Sequence, residues 1–161
     1  MPRSILFTFV TCFFLSSSVL PLIAQNPEDW LKKAQILDKN GFLDEAAEIW
    51  KKLAATDANP NLVIYARLKL GTTYLKLGQF QKSIDTAQAI TQLYPDNFDA
   101  HFHLANSLSA LKKFSEAIEA YKKTTTLKPE EGLGHVGLGL CFFGNSDHKK
   151  AIEVLLKANK L

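Results

Sequence analysis

Cysteine is scarce. Cys12 and Cys141 are the only two in 161 residues. If residue 12 leaves with an N-terminal signal, Cys141 stands alone, no internal disulfide can form, and stability has to come from packing. Cys141 lies between Leu140 and Phe142, where a buried, inert thiol is expected. An excess of one charge is also missing. Nineteen Lys and Arg face sixteen Asp and Glu, a net charge of +3, so nothing drives the chain toward nucleic acid. Lysine doublets such as Lys51-Lys52 and Lys122-Lys123 are interleaved with Glu48, Glu116 and Glu119, the pattern of solvated helix faces.

Long apolar runs are confined to the first 24 residues. Arg3 is the only charge between Met1 and Ala24. A short basic start, an apolar core and a small residue at Ala24 predict a secretory signal peptide over 1–24, cleaved before Gln25. The alternative is an uncleaved anchor, because Ile5 to Ala24 is about the 20 residues a spanning helix needs. The three serines at 16–18 and Pro21 favour the signal. Phe9-Val10-Thr11 before Cys12 is a poor site for lipid attachment.

The remainder repeats. Arg67-x-x-Leu70-Gly71-x-x-Tyr74, Ser83-x-x-x-Ala87 and Pro95 recur 34 residues on as His101-x-x-Leu104-Ala105-x-x-Leu108, Ala117-x-x-x-Tyr121 and Pro129. A third copy is His135-x-x-Leu138-Gly139-x-x-Phe142 with Ala151-x-x-x-Leu155. A fourth, upstream, is Trp30-x-x-Lys33-Ala34-x-x-Leu37 with Ala46-x-x-x-Trp50. Each copy reads as helix A, a turn and helix B. Small residues at Ala34, Gly71, Ala105 and Gly139 allow close approach of A to B, as do Ala46, Ser83, Ala117 and Ala151 from the other side. Trp30, Tyr74 and Tyr121 fill the space between copies, and Pro95 and Pro129 separate them.

This pattern resembles the tetratricopeptide repeat (TPR) family. The resemblance implies an all-α, right-handed α-solenoid of about four helix pairs over 25–161, with repeats at about 27–60, 64–97, 98–131 and 132–161. It implies no catalytic residue, cofactor or metal. It also implies a concave groove lined by the A helices, which takes an extended or helical segment of a protein partner. The groove positions are Leu31, Gln35 and Asp38; Leu68, Thr72 and Leu75; Phe102, Asn106 and Ser109; Val136, Leu140 and Phe143. Phe102 and Phe143 face outward on this reading, which suits a partner with apolar side chains. A subset of the family grips a C-terminal carboxylate with basic residues and asparagines. Only Asn106 fits that role here, since Leu68, Phe102 and Gly137 stand where polar groups are needed.

Other constellations have plainer readings. Gly132-x-Gly134-x-x-Gly137 spells a dinucleotide fingerprint but lacks the preceding strand. A glycine-rich helix A is expected instead. His101 and His135 share one repeat position on neighbouring helices, ~10 Å apart, too far to share a metal. Ser83, Ser107 and Ser109 have repeat or helix-surface explanations, and no convincing nucleophile–base pair stands out. The expected function is an exported (periplasmic or secreted) or membrane-tethered, non-enzymatic interaction module. The alternative is a self-associating assembly component using the last helix, where Ile152, Leu155 and Leu156 have nothing after them. An accessory subunit whose chemistry lies on a partner is a third reading.

Overall fold

The computed structural model describes residues 26–57 and 59–161; the predicted signal or anchor lies outside them. Among the described residues there are eight helices and no strands, in four antiparallel pairs. These are α1 (Pro27–Lys39) with α2 (Leu43–Ala54), α3 (Pro60–Lys76) with α4 (Phe80–Leu93), α5 (Phe98–Ala110) with α6 (Phe114–Leu127), and α7 (Gly132–Gly144) with α8 (His148–Ala158). Each helix packs on the next in sequence, and α5 also packs on both α3 and α7. The even-numbered helices make no comparable contact with one another, which places the odd-numbered helices on the inner face of a solenoid.

Helix starts follow local chemistry. The side chains of Asn26, Asn59 and Asn97 accept from the backbone N–H of Glu28, Asn61 and Ala100, and Pro27 and Pro60 sit in the first turn, where the missing N–H costs nothing. Asn61 to Val63, which look like extra residues between repeats, form the first turn of α3, the longest helix at 17 residues. Asp147 caps α8. Asp44, an attractive cap in sequence, lies inside the first turn of α2 and makes no cap bond; it acts only on the helix dipole.

All four A–B turns close in the same way. The residue after the helix cap adopts positive φ: 82° at Gly41, 70° at Gly78, 59° at Lys112 and 64° at Ser146. The next backbone N–H then returns to the carbonyl five residues earlier, as in Phe42 to Leu37, Gln79 to Tyr74, Lys113 to Leu108 and Asp147 to Phe142. Two glycines fit this geometry freely; a lysine and a serine adopt it against a Cβ clash.

The turns between repeats have their own fastener. His101 Nε2 donates to the Pro95 carbonyl at 2.8 Å and His135 Nε2 to the Pro129 carbonyl at 2.9 Å. Because a carbonyl only accepts, Nε2 carries the proton in both. The two histidines that share a repeat position therefore staple one loop each.

The apolar core is in two parts. One cluster joins α1, α2 and α3 around Trp50 and Leu53. The other joins α4 to α8 around Ile118, Tyr121 and Leu138. Between them lies a buried hydroxyl seam. Ser83 Oγ is 2.7 Å from the Gly71 carbonyl and 2.7 Å from Ser107 Oγ, which is 2.8 Å from the His103 carbonyl. Thr73 bonds the Lys69 carbonyl. Two serine protons serve three contacts, so the two hydroxyls orient together.

The small residues at the A–B crossings are buried throughout, but they are not equally tight. A Cβ at Gly71 would touch nothing nearer than 3.7 Å, whereas one at Gly139 would lie 2.6 Å from Leu155 Cγ. Gly71→Ala should therefore raise stability by ~0.5–1 kcal/mol through helix propensity, and Gly139→Ala should lower it by ~1–3 kcal/mol through overpacking. Lys112→Gly should stabilise by up to ~1 kcal/mol by relieving the left-handed turn. Thermal melts followed by circular dichroism would rank the three; a Gly139→Ala melt at or above wild type would contradict this packing.

Candidate binding groove

The inner face is not uniform. Tyr65, Leu68, Lys69 and Thr72 of α3, with Asp99 and His103 of α5, enclose a pocket of about 330 Å³. Thr72 Oγ1 donates to the Leu68 carbonyl at 2.9 Å, so its 3.4 Å contact with His103 Nε2 has the imidazole as donor. Lys69 Nζ sits 5.4 Å from the Tyr65 ring centroid. Tyr65 also accepts from Gln35 of α1 at 3.5 Å. Further along the first repeat, Asp38 pairs with Lys76 at 2.8 Å. Burial holds the His103 imidazole below the usual histidine range; Asp99 pushes it back up and Lys69 pushes it further down.

The other end of the face is apolar. On α7, Leu133, Val136, Leu140 and Phe143 are 62%, 39%, 58% and 63% exposed. Their side chains carry no polar atom and form one stripe.

Between these ends lie the α5 positions. Phe102 is not outward-facing. Its ring stacks on Phe98 at 5.9 Å, meets Tyr121 edge-on at 6.1 Å, and packs on the second core cluster. Asn106 is fixed from behind: the Tyr121 hydroxyl donates to its Oδ1 at 2.5 Å. Gly137 permits this, since a Cβ there would fall 2.3 Å from the Tyr121 ring. Burial pushes the Tyr121 phenol well above its ordinary value, so it stays a donor. Ser109 receives the Cys141 thiol at 3.4 Å, and burial pushes that thiol up as well. Leu75 is half-buried. Gly134 and Gly137 of the glycine motif thus face Thr124 and Tyr121 of α6, which is a packing reason for each.

Sequence spacing finds the later turns of the groove and misses its first. Tyr65, Asp99 and Leu133 lie three residues before Leu68, Phe102 and Val136, and Lys69 and His103 lie three before Thr72 and Asn106. A helix face continues at intervals of three and four, so extending the pattern one turn toward the N-terminus recovers Tyr65, Asp99 and Leu133, while Lys69 and His103 lie beside Leu68 and Phe102 within the span already marked.

Residues 68–131, and again 104–160, match the family model for the tetratricopeptide repeat. The chain belongs to the tetratricopeptide repeat family. Among curated TPR relatives, the BBSome complex member BBS4 of Bos taurus is 30% identical over 122 residues, 75% of this chain and 23% of that protein. The peroxisomal targeting signal receptor of Kluyveromyces lactis is 30% identical over 110 residues, 68% of this chain and 19% of that protein. The chain thus spans less than a quarter of the length of these relatives. Among solved structures, MamA (41-end) from Desulfovibrio magneticus RS-1 superposes with a TM-score of 0.76 at 25% identity, covering 86% of this chain and 76% of that one. The four helix pairs are therefore a TPR solenoid, a fold of protein-interaction scaffolds. Among the described residues no helix is long and apolar enough to cross a membrane.

The depressed His103 gives the TPR groove a pH signature. The unfolded chain takes up the proton first, near pH 6.5, so the stability due to neutral His103 is present above that pH and is lost as pH falls through it toward the folded value. The wild-type melting temperature should fall more between pH 7.5 and 5.5 than that of His103→Gln. Equal falls would show that His103 is not held neutral by the fold.

Proposed function

We propose that the chain is an exported, non-enzymatic adaptor that binds a protein segment in the groove of its A helices. The observation that carries this is the exposed stripe on α7. Four large apolar side chains lie side by side on the inner face, level with an asparagine whose carboxamide is oriented from behind. Surface apolar residues gathered in this way mark an interaction site. The names of two relatives, a targeting-signal receptor and a member of a complex, suit the same role. Export follows from the basic, apolar and small-residue order of residues 1–24; retention of that segment would make the chain membrane-tethered.

A photo-crosslinker at Leu140, in the native cell, tests this. Phe102 is the poorer probe site because its ring is engaged in packing. A different protein should be captured, and either Asn106→Ala or Val136→Glu should reduce its yield with no change in helix content. Capture of this same chain alone would refute the adaptor reading.

A second reading has its own observation. Ile84 and Ile118 are 2% and 5% exposed because α5 and α7 cover them, while Ile152, one repeat on, is 60% exposed, with Leu156 beside it at 59%. The α8 face is thus shaped for another A-type helix, which a second copy could supply. If so, light scattering on residues 25–161 at tens of micromolar should report a dimer or larger species, and Leu156→Glu should return it to monomer. A wild-type monomer would remove this reading.

A further inference from the structure

Two opposite charges line the pocket between α3 and α5 without meeting. Lys69 and Asp99 both border its volume of about 330 Å³, yet neither is in a salt bridge among the described residues. The contact of Thr72 with His103 at 3.4 Å sets the register of the two helices. Four residues earlier stand Leu68 on α3 and Asp99 on α5, with Lys69 beside Leu68. The two charges are thus level with one another. Tyr65 draws the cation away. Lys69 Nζ lies 5.4 Å from the Tyr65 ring centroid, and that phenol is itself tied to Gln35 of α1. The cation belongs to the α3 wall and the carboxylate to the α5 wall.

A ligand with a single charge fits this pocket poorly. An inorganic anion on Lys69 would face Asp99. A metal ion on Asp99 would face Lys69, and no group of three or more metal-ligating side chains lies among the described residues. A peptide end carries a carboxylate or an ammonium, never both at one point. His103 adds no second cation at neutral pH, because burial lowers its pKa. The pocket therefore holds one positive and one negative charge, each waiting for its opposite.

A free α-amino acid carries both charges on adjoining groups. Its carboxylate meets Lys69 and its ammonium meets Asp99, and neither of the two repulsions arises. The remaining wall suits an apolar side chain, since Leu68 is hydrocarbon and Tyr65 offers an aromatic ring. The volume agrees, because small-molecule sites run from roughly 300 to 1,000 Å³ and this one is near the lower limit.

We propose that the pocket between α3 and α5 binds a free α-amino acid with an apolar side chain, its carboxylate on Lys69 and its ammonium on Asp99. The site is separate from the apolar stripe on α7 and takes a small molecule in place of a protein segment. Its failure would leave the adaptor reading, tested by capture at Leu140, where it stands.

Calorimetric titration of residues 25–161 at pH 7.5 tests this with leucine and phenylalanine as ligands. N-acetyl-leucine, which lacks the ammonium, and leucinamide, which lacks the carboxylate, are the comparators. At least one of the two amino acids should bind saturably, and each comparator should be weaker by roughly tenfold or more. Asp99→Asn and Lys69→Met should each weaken the amino acid to a similar degree with no change in helix content. Asp99→Asn should also abolish the preference for leucine over N-acetyl-leucine. Failure of both amino acids to bind below about 10 mM would overturn the proposal. N-acetyl-leucine binding as tightly as leucine would show a site for a carboxylate alone, and leucinamide binding as tightly would show a site for an ammonium alone; either result overturns it. Binding that neither variant weakens would place the ligand elsewhere, with the same consequence.

Discussion

At four crossings along this chain the backbone of one helix comes so near its partner that only glycine, alanine or serine fits between them. Ala34, Gly71, Ala105 and Gly139 stand on one side, and Ala46, Ser83, Ala117 and Ala151 on the other. Close approach turns each pair into a thin slab with large side chains left on its outer surfaces. Those surfaces cannot be covered within one pair, so slab stacks on slab, and the inner helices become a continuous face. The groove is a by-product of that stacking. Its chemistry is free to vary because the crossings, and not the inner face, determine the fold.

The variation here runs along the array. The first repeats offer paired and hydrogen-bonded polar groups, Gln35 with Tyr65 and Asp38 with Lys76. The middle offers a polar pocket around His103. The last offers hydrocarbon alone. Glycine enables that final change twice over: Gly137 admits the Tyr121 ring that orients Asn106, and Gly139 admits Leu155 under α7. Both hold α7 close to its neighbours while its outer side chains remain uncovered.

Much of this was legible in the residues. A 34-residue period with small residues at fixed places predicts helix pairs, their order and their tight crossings, and all eight helices are present. Features set by side-chain direction were harder to read. Phe102 looks like a groove residue by count, but Phe98 and Tyr121 draw its ring inward. Asp44 looks like a cap, yet the helix is capped two residues earlier, at Phe42, directly after the left-handed Gly41. His101 and His135 look like a pair, whereas each reaches back to its own proline. None of these choices is encoded by periodicity; each depends on which neighbour is within reach after folding. The first turn of the groove was missed for a simpler reason, since Tyr65, Asp99 and Leu133 lie outside the repeat motif but on the same face.

The hydroxyl seam at Ser83 and Ser107 divides the hydrophobic core, and hydrocarbon surfaces alone would let two slabs slide with little change in buried area. Directional bonds do not permit that: Ser83 of α4 meets Ser107 of α5 at 2.7 Å across the two slabs, and each hydroxyl is also held at a backbone carbonyl of its own slab. The seam therefore sets the register of the polar half of the array against the apolar half. A partner long enough to touch both meets a surface whose two parts are already aligned, and little of its binding free energy is lost to ordering the receptor.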